Sequence, residues 1–265
     1  MGPERGNDAQ GSSGSAWWVP LAAALAFLSV LPVPRHDRRP SDLGAASAHF
    51  PAVGAALGTA VGLLGLLLDR WLPPTAVAAV LVGLGALATG GLHLDGLMDT
   101  ADGVFGGRDR ELRLTIMRDS RVGAFGVVAG GLALLLPFAA LVELTGTERL
   151  LALALAWGLG RWAMVLAIHA FPSARADGLG AAARASAGRL PLAVAATSTV
   201  AGSLALGSLG LVSSILATSI AFGCGRFLAV RLGGLTGDTY GAIAVIAETA
   251  VLYVAVGFDG SEIGA

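Results

Sequence analysis

Long apolar runs alternate with short polar breaks along the chain, and the runs set its architecture. Stretches built mostly from Ala, Val, Leu and Gly fall at roughly 17–33, 50–68, 74–93, 123–144, 150–171, 190–207, 209–225 and 241–257. Each approaches the ~20 residues an α-helix needs to cross a bilayer. A helix also satisfies its own backbone polar groups, which lipid cannot do. The pattern therefore predicts an all-α, polytopic membrane protein, a helical bundle of about eight transmembrane helices with six as the lower bound. The segment 190–225 decides the count, because GSLG at Gly207 to Gly210 places a turn inside an otherwise continuous run. A single integral-membrane catalytic domain is expected over 17–258. A small, polar, Gly/Ser-rich tail precedes it (1–16), without the form of a secretory signal, and a short tail follows (259–265).

The arginines orient the bundle. With eight spans, one side receives Arg35, Arg38 and Arg39, then Arg108, Arg110, Arg113, Arg118 and Arg121, then Arg175, Arg184 and Arg189, and lastly Arg226 and Arg231. The other side receives Arg5, Arg70 and Arg149. The positive-inside rule puts the first set in the cytoplasm, with both termini outside the cell membrane.

Composition agrees with the pattern. The chain is 55% hydrophobic and 13% charged, against about a quarter charged in soluble domains. A net charge of −1 argues against nucleic acid as a partner. A single cysteine, Cys224, excludes an internal disulfide or a thiolate metal cage. Glycines spaced by four, as at Gly54, Gly58 and Gly62, fit close packing between helices.

Against this background GGLHLDGLMDTADG (Gly90 to Gly103) stands out, with Asp95, Asp99 and Asp102 within eight residues. On a helix the three lie at about 0°, 40° and −20°, one arc of roughly 60°. Like charges so placed repel and are costly to desolvate at a membrane boundary. A divalent cation such as Mg²⁺, which takes oxygen ligands and sits between carboxylates and phosphates, relieves both costs. A solvated acidic turn is the plainer alternative. His93 would lie near 160°, on the far side of that helix, a neighbour of the metal site and not a ligand in it.

Two further blocks carry polar chemistry on the same predicted face. In ELRLTIMRDSRVGAFG (Glu111 to Gly126), Arg118 and Arg121 bracket Asp119. They read either as a bidentate phosphate clamp or as interfacial anchors. In GGLTGDTYGA (Gly233 to Ala242), Asp238 follows Gly237 in a glycine-rich turn whose N–H groups suit phosphate oxygens. Arg161, His169 and Glu248 fall inside spans, where ionisable groups serve function or pair internally. Together the blocks suit metal-assisted transfer of a phosphoryl-type group. Asp119 and Asp238 are the candidate catalytic bases, with Arg118, Arg121, Arg108, Gly237 and His93 as the candidate substrate-binding set.

These blocks, with LSVLPVP and HFPAVGAALG before them, resemble the cobalamin synthase family, also called adenosylcobinamide-GDP ribazoletransferase. The resemblance runs from about residue 18 to 257 in the family's motif order. Met98 departs from the small residue expected between the acids, and the N-terminal tail has no counterpart. The resemblance implies a multi-pass, Mg²⁺-dependent enzyme that joins adenosylcobinamide-GDP to α-ribazole or its 5′-phosphate and releases GMP. It implies Mg²⁺ on Asp95, Asp99 and Asp102 and leaves homo-oligomerisation open. The rival readings are a CDP-alcohol phosphotransferase, whose Ala-Arg pair after the first Asp-Gly is lacking here, and a secondary transporter. A transporter would carry its acids at the midplane, often with repeat symmetry, and a prenyltransferase would show a second aspartate-rich segment.

Overall fold

The apolar runs fold as helices in the computed structural model, which describes residues 18–33 and 42–258. Arg5, Arg35, Arg38, Arg39 and the two terminal tails lie outside the described residues. The helices are α1 (Val19–Leu28), α2 (Asp42–Ala46), α3 (Phe50–Leu68), α4 (Pro74–Ala88), α5 (Leu92–Gly106) and α6 (Arg110–Ile116). They continue with α7 (Ala124–Glu143), α8 (Gly146–Ala170), α9 (Leu179–Ala185), α10 (Arg189–Leu204), α11 (Gly207–Leu232) and α12 (Gly237–Gly257). The fold is all-α and polytopic, as the pattern predicts.

The expected eight spans are not all reached. Among the described residues, five helical segments are long and apolar enough to cross a membrane alone: Leu43–Leu68, α7, α8, α11 and α12. Helices α4 and α5 add a sixth if their bent pair counts as one span. The predicted spans 17–33 and 190–207 become α1, with 10 residues, and α10, with 16. Ten helical residues rise about 15 Å, half of a hydrocarbon core roughly 30 Å thick. The predicted turn near Gly207 is present: α10 ends at Leu204, and Gly207 has φ +56°.

Helix α8 is the bundle's centre, packed on α3, α10, α11 and α12. Glycines set its closest approach. A Cβ on Gly54 or Gly58 of α3 would strike the backbone carbonyl of Trp157 or Leu153. One on Gly62 would strike Leu150. Small residues at four-residue spacing thus let two backbones touch, which lipid-embedded helices exploit in place of a hydrophobic driving force.

Each end of the bundle has its own polar fastening. At one end, buried Arg149 donates to Asp69 Oδ1 (2.8 Å) and to the carbonyls of Leu141 (3.1 Å) and Leu144 (2.6 Å) at the end of α7. At the other, Arg110 donates to Leu232 O (2.8 Å) and Ala174 O (3.2 Å). Arg113 there donates to Gly107 O (2.9 Å) and Arg231 O (3.3 Å). Cations are favourable at the C-terminal carbonyls of a helix, and here they tie α6 to the end of α11. The α5–α7 connection, the 171–178 loop and the 232–238 turn therefore meet at one end.

Candidate active site

The site begins at a break in the chain. Gly90 and Gly91 hold φ of +61° and +70°, left-handed values that other residues adopt at a cost. They turn α5 away from α4 by 86°. The acid-bearing stretch thus becomes a helix of its own, with Asp95 in its first turn, where the helix dipole favours a carboxylate. Asp95, Asp99 and Asp102 all lie on α5, and Gly107 caps it.

The three aspartates do not share one environment. Asp102 is 7% exposed, and both of its oxygens are engaged. Oδ2 accepts from the amide of Gly123 (2.7 Å) and Oδ1 from that of Gly126 (2.8 Å), at the start of α7. Helix α7 has no side-chain cap of its own, so Asp102 supplies the acceptor its N-terminus lacks. Among the described residues no hydrogen bond or ion pair reaches the carboxylate of Asp95 or Asp99.

Helix α12 forms the facing wall. It starts with a capping box between Thr236 and Thr239. Gly96 and Gly241 bring α12 onto α5. A Cβ on Gly96 would lie 2.7 Å from Asp238 O, and one on Gly241 3.1 Å from His93 Cα. This contact sets Asp238 beside the acids of α5: Asp95, Asp238 and Asp102 all act electrostatically on Asp99, with Arg175 opposing them.

Arg175 comes from the 171–178 loop. A parallel bridge joins Ser173 to Leu235, with Ala174 N donating to Leu235 O and Leu235 N to Pro172 O, both at 2.8 Å. From this anchored loop Arg175 Nη1 reaches Asp238 Oδ2 at 3.3 Å. Asp95, Arg175, Asp177, Gly237 and Asp238 line a common cavity of about 250 Å³ whose other walls include Phe27, Phe50 and Tyr240.

The remaining predicted residues fall into three places. Arg118 donates to Asp177 at 3.1 Å, at the rim of the cavity. Asp119 and Arg121 form an exposed bidentate pair, the shortest contact 2.7 Å, and hydrogen bonding from Arg121 holds the Asp119 carboxyl down to about 2. Arg108 is exposed and, among the described residues, meets only its neighbour Asp109, at 3.4 Å. His93 is buried on the far side of α5, as the helical geometry anticipates. There it lines a second cavity of about 100 Å³ with Trp157, Arg161 and Glu248. Arg161 and Glu248 are ion-paired. Arg175 is the site residue that no motif disclosed: it sits in a loop 63 residues from Asp238, and only tertiary folding joins them.

The donor set bears on the implied magnesium. Among the described residues no three carboxylates already converge at metal-ligand distance. Mg²⁺, however, keeps several waters and typically takes one or two carboxylates plus substrate phosphates. Asp95 and Asp99, hard oxygen donors one helical turn apart and without a protein partner, fit that demand. Asp102, with both oxygens already filled, fits it less well.

Comparison with known proteins places these features in a family. The cobalamin-5-phosphate synthase family, CobS, matches residues 20–256. A protein of Desulforamulus reducens named adenosylcobinamide-GDP ribazoletransferase is 43% identical, covering 88% of this chain and 94% of the relative. Proteins of the same name from Roseiflexus sp. and Pseudomonas fluorescens are 39% and 42% identical, over 89% and 88% of this chain and 90% and 97% of theirs. No solved structure matches. The protein belongs to the cobalamin-5-phosphate synthase family.

Proposed function

We propose that the protein is an adenosylcobinamide-GDP ribazoletransferase of the cell membrane, with its site on the cytoplasmic face. The observation that carries this reading is one cavity lined by the unpartnered carboxylate of Asp95, by Asp238 and by the Arg175 guanidinium, with Asp99 within electrostatic reach of all three, in a chain about 40% identical to enzymes of that name. The arginine-rich end of the bundle is the end that bears the cavity, which supports the cytoplasmic placement.

In this reading Asp95 and Asp99 hold Mg²⁺, which when bound neutralises the charge of the substrate's pyrophosphate. Asp102 acts one step back, fixing α5 against α7. The hydroxyl oxygen of α-ribazole, or of its 5′-phosphate, bonds to the phosphorus that carries the cobinamide arm. The bond from that phosphorus to the bridging oxygen breaks, and GMP leaves with the electron pair. Asp238, at the head of α12 and facing the cavity, receives the hydroxyl proton. Asp119 is unsuited to that role, because a carboxyl held near 2 is a weak base.

Purified protein with Mg²⁺ is expected to release GMP from adenosylcobinamide-GDP only when α-ribazole or its phosphate is added. Absence of GMP under those conditions, with CMP released instead from a CDP-alcohol, would overturn the assignment.

A further inference from the structure

Arg175 is the only cationic side chain among the described residues that line the main cavity. Its hydrogen bonds are strained in length or missing. Nη1 meets Asp238 Oδ2 at 3.3 Å and Nη2 meets Leu114 O at 3.4 Å, whereas charge-assisted contacts of this kind favour about 2.7–2.9 Å. Nε is buried and has no hydrogen-bond partner among the described residues. A guanidinium presents five N–H donors, and leaving a buried one unpaired is unfavourable. The neighbouring Arg110 and Arg113 differ, since each has its Nε filled by a backbone carbonyl at 2.8–2.9 Å. Those two fasten the fold, and Arg175 has donors to spare.

The backbone behind Arg175 is fixed. Ser173 is bridged to Leu235, and its Oγ donates to Arg175 O at 2.8 Å. The planar fork is thus presented to the cavity by a loop that does not need to be ordered on binding. Across from it, Thr236 Oγ1 and Arg175 both reach the same Asp238 oxygen, Oδ2. In this state the guanidinium suited to an anion and the carboxylate suited to a proton occupy each other.

We propose that Arg175 binds the diphosphate of the nucleotide substrate and that its contact with Asp238 is a latch. The phosphate takes over the guanidinium, and the release leaves Asp238 free to accept the hydroxyl proton. Base and anion site are thereby coupled: Asp238 becomes available when the substrate's phosphates are in place. This inference rests on the reading of the cavity as a site for a nucleotide-linked diphosphate.

The test is equilibrium binding of GDP, as a probe, to the full-length detergent-purified protein, first with chelator and then with Mg²⁺. Arg175→Ala is expected to weaken GDP binding roughly 10- to 100-fold in both conditions, the effect of losing a charge-assisted contact. Arg175→Lys, which keeps the charge but not the fork, should fall between. Asp238→Asn should tighten metal-free GDP binding several-fold, because it removes the competing carboxylate. A purely structural ion pair predicts the opposite sign, since breaking it from either side would weaken binding. Arg70→Ala, a change at an exposed residue beside Asp69 at the opposite end of the bundle, should bind GDP as the parent does. The latch is overturned if the parent protein does not bind GDP, if Arg175→Ala binds it normally, or if Asp238→Asn leaves binding unchanged or weaker. Should Arg175→Ala fail to fold, the sign of the Asp238→Asn effect decides. Loss of GMP release by the parent protein would sink the functional reading without touching the GDP result, so the two failures are distinguishable.

Discussion

Asp102 Oδ1 and the amide of Gly126 meet at 2.8 Å across 24 residues of sequence. The contact joins two stretches that look unrelated in the sequence, the acid-rich TADG and the glycine-flanked VGAFG. A Cβ at Gly123 or Gly126 would collide with the Asp102 carboxylate, so both glycines are needed for the carboxylate to reach the start of α7. Asp102→Ala strips two amides of their acceptor in a buried place. The expected loss is on the order of 2–3 kcal/mol, seen as a lowered midpoint in thermal unfolding in detergent. Asp102→Asn, which can still accept one bond, should lose less. A midpoint unchanged in Asp102→Ala would remove the capping role.

Asp95 and Asp99 should behave in the opposite way. Their carboxylates have no hydrogen-bond partner among the described residues, and their mutual repulsion is relieved when either is neutralised. Asp95→Asn and Asp99→Asn are expected to keep or slightly raise the midpoint while cutting GMP release by about 100-fold or more. Mg²⁺ should raise the unfolding midpoint of the parent protein by mass action and have no such effect on the double variant. A normal Mg²⁺ shift in that variant would place the metal elsewhere.

The contrast shows how far the sequence reaches. Spacing put three carboxylates on one arc of a helix and His93 on the other side, and the helix α5 has that form. Spacing carries no information about what faces the arc. Asp102 meets backbone amides, which no side-chain motif records, and Arg175 reaches Asp238 only because a two-residue bridge aligns two distant loops. The arginine parity grouped at one end the blocks of Arg118, Arg175 and Asp238, which meet there. The span count was less legible: apolar composition is the same in a crossing helix and in a short one, and the left-handed glycines that break 74–93 resemble the packing glycines around them.

Asp119 and Arg121 give a prediction about pH. Arg121 lowers the Asp119 carboxyl to about 2, so whatever the pair contributes is present above the ordinary carboxylate value and is lost only as pH falls toward 2. Between about pH 5 and 9 the group stays ionised. Asp119→Asn should therefore leave the shape of the pH–rate profile unchanged across that range and alter turnover by less than about 3-fold. Disappearance of the acidic limb in Asp119→Asn would instead make Asp119 the base.

The buried pair Arg161–Glu248 ties α8 to α12, with Arg161 also 5.7 Å from the Trp157 ring centroid. Gly160 makes the approach possible, because a Cβ there would strike Glu248. Removing one partner leaves the other charge unmatched in an apolar setting, a loss of roughly 3–5 kcal/mol, whereas replacing both by apolar residues of similar volume is often neutral. Arg161→Met should thus unfold at a markedly lower temperature, and Arg161→Met with Glu248→Leu should recover most of the difference. The activity of the double variant then separates two roles. The pair lies about ten residues along α12 from Asp238, some 15 Å by helical rise, and lines the cavity that holds His93 and not the one that holds Asp95. If the pair only fastens helices, GMP release returns with stability. If stability returns and GMP release does not, the His93 cavity takes part in binding substrate.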